Sequence, residues 1–475
     1  MKASYDLIIV GAGPGGYIAA KKAASLGMSV LIIDKNEVGG TCVNRGCIST
    51  KALIHASMLY REMLDCEKFG LSADNIRFDL QKIYEYKDNS AAAMRQDLIE
   101  EFEELGITYL NGEATVMLNK RVLVQMHNGE EEIYQGRNVL IATGAKANYL
   151  EIPGMNLPGV MTSEELLTAN ESQYKRMLVI GGGVIGLEIA TAFNALGTEV
   201  TIVEAAERLL PKMDPEFAQA LEEILVQRGI KIYKSSFMDS VEEKDGGLRG
   251  RFFANGKQEK VDVDCVLVSV GRSANTEGLF APGLSIKTEK GKIVVDEFFM
   301  TSVPGVYAIG DVIEGVQLAH VASAQASYVV ERMNGLAPTY MLDMVPSGLF
   351  VSMSIIPSCV YTDPEIASVG LSEEEAKRYH VPVRCGKYVM SSNGQSIIRK
   401  EKIGFIKVVF AADSDVLLGA QMLCPRATDM IGELATAIAN GLTSRQLMYA
   451  MRAHPTFNEA VSGAVEDSRR RKATW

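Results

Sequence analysis

Basic residues are in the minority in this chain of 475 residues, and this excludes one class of partner. Lysine and arginine number 48 against 59 aspartates and glutamates, which gives a net charge of −11 at pH 7. Proteins that bind a nucleic-acid backbone carry the opposite balance, since they must neutralise phosphates. We therefore expect no nucleic-acid partner.

Long uncharged apolar runs are also missing. A membrane-spanning helix needs about 20 consecutive apolar residues, and the best candidate, residues 177–195, contains Glu188. The apolar run after Met1 is too short for a signal peptide and leads into glycines rather than a cleavage site. We expect a soluble, cytoplasmic protein that has no membrane partner.

Proline is scarce compared with glycine, with 14 residues against 43, which suggests many tight backbone turns. The chain is 47% hydrophobic and 23% charged. This balance is ordinary for a folded protein and excludes disorder, collagen and coiled-coil rods. At about 100–200 residues per domain, the length predicts three or four domains.

Cysteine is infrequent, with seven residues in the chain. Two of them, Cys42 and Cys47, lie close together between glycines. The other five are scattered through mostly apolar stretches and are interpreted as small core residues: Cys66, Cys265, Cys359, Cys385 and Cys424. Zinc would need four ligands in a structural site. Because no second Cys/His pair has suitable spacing, no metal site is predicted.

A glycine-rich turn follows the first apolar run of the chain. Gly11, Gly13 and Gly16 precede a helical stretch, and Asp34 ends the next apolar run. Gly11 permits a tight turn, Gly13 lets the backbone approach a pyrophosphate, and Gly16 lets helix and strand pack closely. The helix N-terminus would face the phosphates, and Asp34 is placed to accept hydrogen bonds from a ribose.

The same pattern recurs in the middle of the chain. Its residues are Gly181, Gly183, Val184, Ile185 and Gly186, with Glu204 at the end of the next apolar run. Either segment alone could be a glycine turn without a ligand, but two complete copies indicate two dinucleotides, a cofactor and a co-substrate. Because the Glu204 carboxylate would accept from a 2′-hydroxyl and repel a 2′-phosphate, NAD is favoured over NADP.

Residues 39–51 contain the two neighbouring cysteines, with four residues between Cys42 and Cys47. Glycines on both sides let the chain bend enough to bring the two sulfur atoms within bonding distance. The alternatives are half of a zinc site and two unrelated core thiols; a redox-active disulfide is favoured over both. Because thiolate is the reactive form, Arg45 and Lys51 are predicted to lower a thiol pKa.

In residues 39–51 the chain resembles the redox-active segment of the FAD-dependent pyridine nucleotide–disulfide oxidoreductases. Residues 142–144 are similar to that family's junction between nucleotide domains, 270–276 to its exit from the NAD domain, and 308–311 to its second flavin fingerprint. The resemblance implies that the first glycine turn binds FAD, the second binds NAD, and Asp311 binds the ribityl chain. The cofactor-binding residues that it implies are Gly11, Gly13, Gly16, Asp34, Lys35, Gly40, Thr41, Lys51, Gly112, Ala142, Thr143, Gly144, Gly181, Gly183, Val184, Ile185, Gly186, Glu188, Glu204, Gly271, Asp311, Gln317, Leu318, Ala319 and His320.

Near the C-terminus, residues 453–460 resemble the His–Glu signature of the dihydrolipoamide dehydrogenases within this family. Pro455 suits the first position of a helix, which would leave Glu459 in the following turns, able to reach back to His454. A carboxylate partner fixes the tautomer and supports the imidazolium, so His454 is predicted to be a base near neutral pH. The alternative is a helix boundary whose histidine faces solvent.

Two sibling groups resemble the chain less. Mercuric reductases are expected to carry a cysteine pair at the C-terminus, where this chain has basic residues 469–472. Glutathione reductases typically use NADPH and would place basic residues after the strand that Glu204 follows. The chain also departs from the lipoamide branch, since Arg45 stands where a small apolar residue is common, and the apolar stretch 341–354 is longer than that branch's usual link.

The resemblance implies an α/β fold with two Rossmann-like dinucleotide-binding domains and a C-terminal α+β dimerisation domain. The expected boundaries are 1–148 for the first part of the FAD-binding domain, 149–275 for the NAD-binding domain, 276–345 for the second part of the FAD domain, and 346–475 for the interface domain. A homodimer is also implied, in which His454 faces the other subunit's dithiol.

The reaction that the resemblance implies is the oxidation of dihydrolipoyl groups through the Cys42–Cys47 disulfide and FAD to NAD, giving NADH. The implied catalytic residues are Cys42, Cys47, His454, Glu459, Lys51 and Glu188, with Lys51 and Glu188 paired near the flavin ring. The implied partner is a lipoyl-bearing acyltransferase or a glycine-cleavage carrier protein. The alternatives are a glutathione-like or mercuric disulfide reductase, and a flavin subunit whose dithiol is not turned over.

Overall fold

The computed structural model describes residues 2–170, 173–339 and 355–472. The apolar stretch 341–354, predicted to be a long link, lies outside these residues. The largest sheets of the described residues are two mainly parallel sheets, each with its own helices, and a C-terminal five-stranded sheet that is antiparallel throughout. This is the predicted α/β architecture with a C-terminal α+β part.

The first sheet is built around an apolar strand. Leu7, Ile8 and Ile9 on strand β1 are fully buried, as expected for a central parallel strand with helices on both faces. Helix α1 begins at Pro14, which suits a first helical position because its missing N–H is not needed there. The elements of this part are β1 (Ser4–Val10), α1 (Pro14–Ser25), β2 (Val30–Asp34), α2 (Gly40–Arg45), α3 (Cys47–Leu64), α4 (Leu80–Glu104), β3 (Thr108–Met117), β4 (Arg121–Met126) and β5 (Glu131–Ile141).

The second part of the chain repeats this plan around a second sheet. Its elements are β6 (Ala145–Ala147), β7 (Val160–Thr162), α5 (Ser163–Ala169), β8 (Arg176–Ile180), α6 (Val184–Ala195), β9 (Glu199–Val203), α7 (Pro215–Gln227), β10 (Lys231–Tyr233), β11 (Phe237–Lys244), β12 (Gly247–Ala254), β13 (Lys257–Val263), β14 (Cys265–Val268) and β15 (Arg272–Ala274). Five strands run parallel in the order β10-β9-β8-β14-β7. Strands β11 to β13 form a separate antiparallel sheet, and β6 pairs with β15 where the chain enters and leaves this part.

The chain then returns to the first sheet. The elements are β16 (Thr288–Glu289), β17 (Lys292–Ile293), β18 (Val306–Ala308) and α8 (Ala319–Met333). Strand β18 pairs in parallel with β5, so five strands run parallel in the order β3-β2-β1-β5-β18, while β4 joins the far ends of β3 and β5. Helix α8 packs on α1, and a Cβ on Gly15 would lie 3.4 Å from the Ala322 Cβ at this contact.

The C-terminal part is an antiparallel sheet in the order β19-β20-β23-β22-β21 with helices on it. Its elements are β19 (Ser358–Val360), β20 (Glu365–Gly370), α9 (Glu373–Arg378), β21 (Val383–Val389), α10 (Gly394–Arg399), β22 (Phe405–Ala411), β23 (Leu417–Cys424), α11 (Ala427–Ala439), α12 (Ser444–Tyr449) and α13 (Glu459–Arg470). The last helix begins at Glu459, so Pro455 lies before it and not at its first position; that prediction is wrong. Among the described residues, no helix is both long and apolar enough to cross a membrane.

Candidate active site

One cavity of about 1640 Å³ joins the three parts of the chain. It is lined by both glycine-rich turns, by Cys42 and Cys47, and by residues of the C-terminal part such as Tyr361. All the site residues predicted from the sequence line this cavity except four: Gly16, Gly186, His454 and Glu459. The structure therefore brings both nucleotide turns and the dithiol to one place.

The glycines of the two turns divide into two kinds. A Cβ on Gly16 would lie 1.8 Å from the Gly11 carbonyl oxygen, and one on Gly186 would lie 2.2 Å from that of Gly181. These two glycines allow each helix to pack on its own turn, which explains why they do not line the cavity. A Cβ on Gly183 would meet no atom within 4 Å, so the space beside this turn is open. That open space fits a pyrophosphate, for which the Rossmann turn needs close backbone approach.

The two acidic residues after the turns also hold the turns in place. Asp34 Oδ2 accepts a hydrogen bond from the Ala12 N–H at 2.7 Å, and Glu204 Oε2 accepts one from the Gly182 N–H at 2.5 Å. Burial raises the pKa of Asp34, and the backbone hydrogen bonds that it accepts oppose this effect. Each carboxylate has two oxygens with several lone pairs, which leaves acceptor capacity for a ribose hydroxyl.

One buried polar group of the cavity has no hydrogen-bond partner among the described residues. The Gln317 side-chain nitrogen is buried and makes no hydrogen bond within the described part of the chain. A buried amide donor without a partner costs free energy, so this nitrogen fits a ligand acceptor. Asp311 lines the cavity in the same region, and burial raises its pKa. Together with the open glycine turns, these residues fit a dinucleotide such as FAD.

The two cysteines of the dithiol are unlike in their surroundings. Cys42 lies on α2, Cys47 is the first residue of α3, and both are free thiols in this structure. The Cys42 thiol donates a hydrogen bond to Cys47, which lowers the pKa of Cys47 to about 7, with a further lowering by the Lys51 charge. The same hydrogen bond, together with burial, raises the pKa of Cys42. Among the described residues no cluster of three or more His, Cys, Asp or Glu side chains could hold a metal ion.

Arg45 does not act on the thiols as predicted. Its guanidinium lies 3.2 Å from Glu37 Oε2, and its charge partly opposes the rise that burial causes in the pKa of Asp34. The charge that lowers the pKa of Cys47 comes from Lys51. The prediction that both cations act on the thiols is therefore wrong for Arg45, because its long side chain turns toward the acidic side of the nucleotide turn.

Lys51 lies one helical turn after Cys47 on α3. Its Nζ is 2.7 Å from Glu188 Oε2 on α6, and the Glu188 side chain is only 4% exposed. The other oxygen of Glu188 accepts a hydrogen bond from the Tyr361 backbone N–H at 3.0 Å. The sequence predicted the Lys51–Glu188 pair by resemblance, but Tyr361 was not among the predicted site residues.

The His–Glu pair lies outside the cavity. His454 Nδ1 is 2.9 Å from Glu459 Oε1, and Glu459 Oε2 accepts a hydrogen bond from the Thr456 N–H at 2.9 Å. These contacts lower the pKa of Glu459, the Thr456 N–H more than His454. His454 is 78% exposed. The structure thus forms the pair but does not bring it to the dithiol of the same chain.

Residues distant in sequence support the loop that carries His454, residues 452–458. The buried Asn393 side chain donates to the Thr456 carbonyl at 3.0 Å. Glu433 on α11 accepts hydrogen bonds from Arg452 and from Asn458, which lie at the two ends of the loop. Sequence reasoning missed these residues, since nothing local connects positions 393 and 433 to the loop.

Two of the five scattered cysteines match their interpretation as core residues. Cys265 and Cys424 are fully buried, as expected of small core residues. Cys66, Cys359 and Cys385 are only partly buried. Cys359 also lines the cavity at strand β19. Burial raises the pKa of its thiol to about 11, so it is a thiol at neutral pH.

Comparison with known proteins identifies the family. Residues 5–326 match the family model described as pyridine nucleotide-disulphide oxidoreductase, and residues 356–465 match the model of that family's dimerisation domain. The chain belongs to the pyridine nucleotide-disulphide oxidoreductase family. Enzymes of this family use FAD and NAD, so the two predicted cofactors are confirmed. The dimerisation domain supports the predicted homodimer.

Several relatives in this family match along nearly their whole length. The dihydrolipoyl dehydrogenase of Geobacillus stearothermophilus is 35% identical over 463 residues, covering 97% of this chain and 95% of that protein. The dihydrolipoyl dehydrogenase of Bacillus subtilis is also 35% identical, with 98% of each chain covered.

Solved structures of the family agree with the fold. LpdA from Mycobacterium tuberculosis superposes with a TM-score of 0.87 at 25% identity, covering 98% of this chain and 99% of that one. The HOCl-induced flavoprotein disulfide reductase RclA from Escherichia coli gives a TM-score of 0.84 at 25% identity, covering 97% of this chain and 99% of that one.

Proposed function

We propose that this protein oxidises dihydrolipoyl groups with NAD, as an FAD-dependent dihydrolipoyl dehydrogenase. The proposal rests mainly on one observation, that Cys42 and Cys47 share a single cavity with both nucleotide turns. The dimerisation domain also carries the His454–Glu459 pair. The similarity to dihydrolipoyl dehydrogenases over nearly the whole chain supports the same function.

The reaction begins with a proton transfer at the substrate. In the homodimer, His454 of the partner subunit accepts a proton from one thiol of the dihydrolipoyl group. Glu459 holds the imidazole through Nδ1, which leaves Nε2 free to act as the base. A carboxylate beside the ring stabilises the imidazolium that forms.

Thiol–disulfide exchange follows at the oxidised dithiol. The substrate thiolate attacks Cys42 Sγ, the Cys42–Cys47 bond breaks, and Cys47 leaves as a thiolate. A thiol of lower pKa leaves faster, and the Lys51 charge lowers the pKa of Cys47. The second substrate thiol then displaces Cys42, which releases the lipoyl disulfide and leaves both cysteines reduced.

The reduced dithiol must then pass on the two electrons that it received from the substrate. Bound FAD supplies the two-electron acceptor between the dithiol and NAD, so one dihydrolipoyl group and one NAD give one lipoyl group, one NADH and one proton. The Lys51 ammonium stabilises the negative charge of the Cys47 thiolate. Glu188 positions Lys51 through their ion pair. Gly183 leaves room for the NAD pyrophosphate, while Glu204 selects NAD by repelling a 2′-phosphate.

A substrate panel on the purified, FAD-loaded protein tests the proposal. We expect turnover of dihydrolipoamide with NAD, at least tenfold faster than with NADP. Lipoamide with NADH should react faster than oxidised glutathione with NADPH. A preference for glutathione and NADPH would overturn the proposal in favour of another disulfide reductase. No turnover with any of these, in protein that binds FAD, would indicate a flavin subunit whose dithiol is not turned over.

The partner and the domain limits belong to the same proposal. The lipoyl group would be carried by an acyltransferase or by a glycine-cleavage carrier protein, in the cytoplasm. The domain limits would fall near 148 and 275, where the chain leaves and re-enters the first sheet, and near 345, which lies outside the described residues. Reduction of NAD by a purified lipoyl-bearing domain, measured against free dihydrolipoamide, tests the partner class.

A further inference from the structure

Three separate parts of the chain meet at the Lys51 side chain. Lys51 belongs to α3 of the first part. Its ammonium contacts Glu188 on α6 of the second part at 2.7 Å, and it lies 4.4 Å from the centre of the Tyr361 ring in the C-terminal part. This distance is within the range of a cation–π interaction.

Tyr361 contacts both members of the ion pair. Its backbone N–H donates to Glu188 Oε1 at 3.0 Å, and its ring lies against the Lys51 ammonium. Its side chain also lines the cavity that contains the dithiol. Burial raises the pKa of the phenol to about 12, so the side chain is neutral at working pH.

The ring and the carboxylate hold Lys51 in electrostatically different ways. Glu188 attracts the ammonium but also carries a negative charge, which raises the pKa of Cys47. An aromatic ring attracts a cation through its quadrupole and has no net charge. The Tyr361 ring can therefore hold the ammonium without cancelling its charge at Cys47.

We propose that Tyr361 is a positioning residue for this reaction, whose ring holds the Lys51 ammonium beside Cys47 and so lets the dimerisation domain set the charge at the dithiol. The proposal rests on the proposed function, in which the Cys47 thiolate is the group that returns the electrons. It deepens that function by adding a residue that acts through Lys51 rather than on substrate.

The test compares variants in the FAD-loaded protein with Cys42→Ser, where Cys47 is the remaining thiol of the dithiol. The rate at which iodoacetamide alkylates Cys47 is followed from pH 5 to 10 by peptide mass spectrometry, which gives the pKa of Cys47. We expect Tyr361→Leu to raise this pKa by about half a unit to one unit. Tyr361→Phe, which keeps the ring, should restore the parent value.

A control and a second set of variants keep the test decisive. Tyr379→Leu changes a half-exposed tyrosine of the same domain that does not line the cavity, and it should leave the pKa of Cys47 unchanged. If Tyr361→Leu does not fold, phenylalanines carrying increasing numbers of ring fluorines at position 361 keep the shape and weaken the attraction for a cation. The pKa should then rise with each added fluorine.

The outcomes separate this inference from the proposed function. Equal pKa values in the parent, Tyr361→Leu and fluorinated proteins would overturn the positioning role. The proposed function has its own readout in the same samples, the long-wavelength absorption of a thiolate next to oxidised FAD. Its absence from the Cys42→Ser parent above pH 8 would contradict the proposed function, whereas the alkylation midpoints still decide the role of Tyr361.

Discussion

At the scale of single residues, neighbours make two identical thiols chemically different. Cys42 donates the hydrogen bond and Cys47 receives it, so the pKa of Cys42 is raised and that of Cys47 is lowered. The Lys51 charge acts to lower both pKa values, but only that of Cys47 lies below the ordinary cysteine value. In the reduced dithiol, Cys47 is therefore the cysteine that ionises first.

Replacing Lys51 should show this effect directly. Because a positive charge favours thiolate, Lys51→Met should raise the pKa of Cys47 from about 7 toward the ordinary cysteine value. In the reduced, FAD-loaded protein, the thiolate-to-flavin absorption should therefore be weaker at pH 7 and return near pH 9. Arg45→Met is the matched control, since Arg45 is paired with Glu37. Equal losses in the two variants would contradict the assignment.

At the scale of elements, each nucleotide turn separates the requirements of folding from those of binding. Gly186 is needed because a Cβ there would meet the Gly181 carbonyl at 2.2 Å, inside the turn itself. Gly183 has open space, and its φ of −81° suits any residue. A methyl group should therefore weaken NAD binding at position 183 and lower the stability of the fold at position 186.

Alanine substitutions in the second turn test this division. Gly183→Ala should raise the KM for NAD by about tenfold or more, because the methyl group occupies space that the pyrophosphate needs, while FAD content and stability stay unchanged. Gly186→Ala should instead lower the melting temperature, by several degrees for a cost of about 1–3 kcal/mol. Thermal unfolding and NAD kinetics on both proteins measure the two effects. Loss of stability in Gly183→Ala would show that this glycine is structural.

A second contact between elements joins the NAD-binding part to the dimerisation domain. Lys407 on β22 is 7% exposed and lies near three carboxylates, those of Asp214, Glu216 and Glu373. Burial alone would lower the pKa of Lys407, but these neighbours, Glu216 first, raise it overall. The pKa of Asp214, the N-cap residue of α7, is raised by burial and is partly lowered again by Lys407.

Lys407→Met should destabilise the protein by about 3–5 kcal/mol, because it leaves buried carboxylates without their cation. Asp214 gives the sign of the pH dependence. Its pKa is raised in the folded state, so the folded protein loses stability as the pH rises through that pKa. Losing Lys407 raises the pKa of Asp214 further. The deficit should therefore be larger at pH 8 than at pH 5 in urea unfolding. Lys387→Met, a half-exposed neighbour on Glu216, should cost less than about 1 kcal/mol. The same deficit at both pH values would rule out an uncompensated Asp214 charge.

At the scale of the whole molecule, the proposed catalytic groups are divided between different surfaces of one chain. The dithiol faces the internal cavity, whereas His454 is 78% exposed on the dimerisation domain. A symmetric dimer can bring an exposed side chain of one subunit to the cavity of the other, twice. Assembly of the dimer therefore completes each proposed site.

Mixed dimers test this sharing. Cys42→Ser and His454→Ala are each expected to be inactive. A mixed dimer would hold one intact site, so an equal mixture after subunit exchange should recover about a quarter of the wild-type activity with dihydrolipoamide and NAD. Recovery should grow with the fraction of mixed dimers, measured by native mass spectrometry. A fully exchanged mixture without activity would mean that His454 and Cys42 act within the same chain.

The sequence by itself determined the parts whose chemistry is local. The two glycine turns with Asp34 and Glu204, and the dithiol segment 39–51, were predicted because each function depends on a few residues close together in the chain. The α/β class was predicted from the family resemblance that these segments carry. The start of the last helix was predicted wrongly, since a proline permits a helix start without requiring one.

Only the tertiary structure decided which distant residues meet. The partner of Arg45 is Glu37 rather than a thiol, Cys359 lines the cavity while also packing on the core of the C-terminal part, and Tyr361 lies on Lys51. These contacts depend on how helices and sheets pack and on which rotamer a long side chain adopts, and neither is encoded in a short stretch of sequence. The distance between His454 and the dithiol of its own chain is likewise a property of packing, because the two lie on different domains.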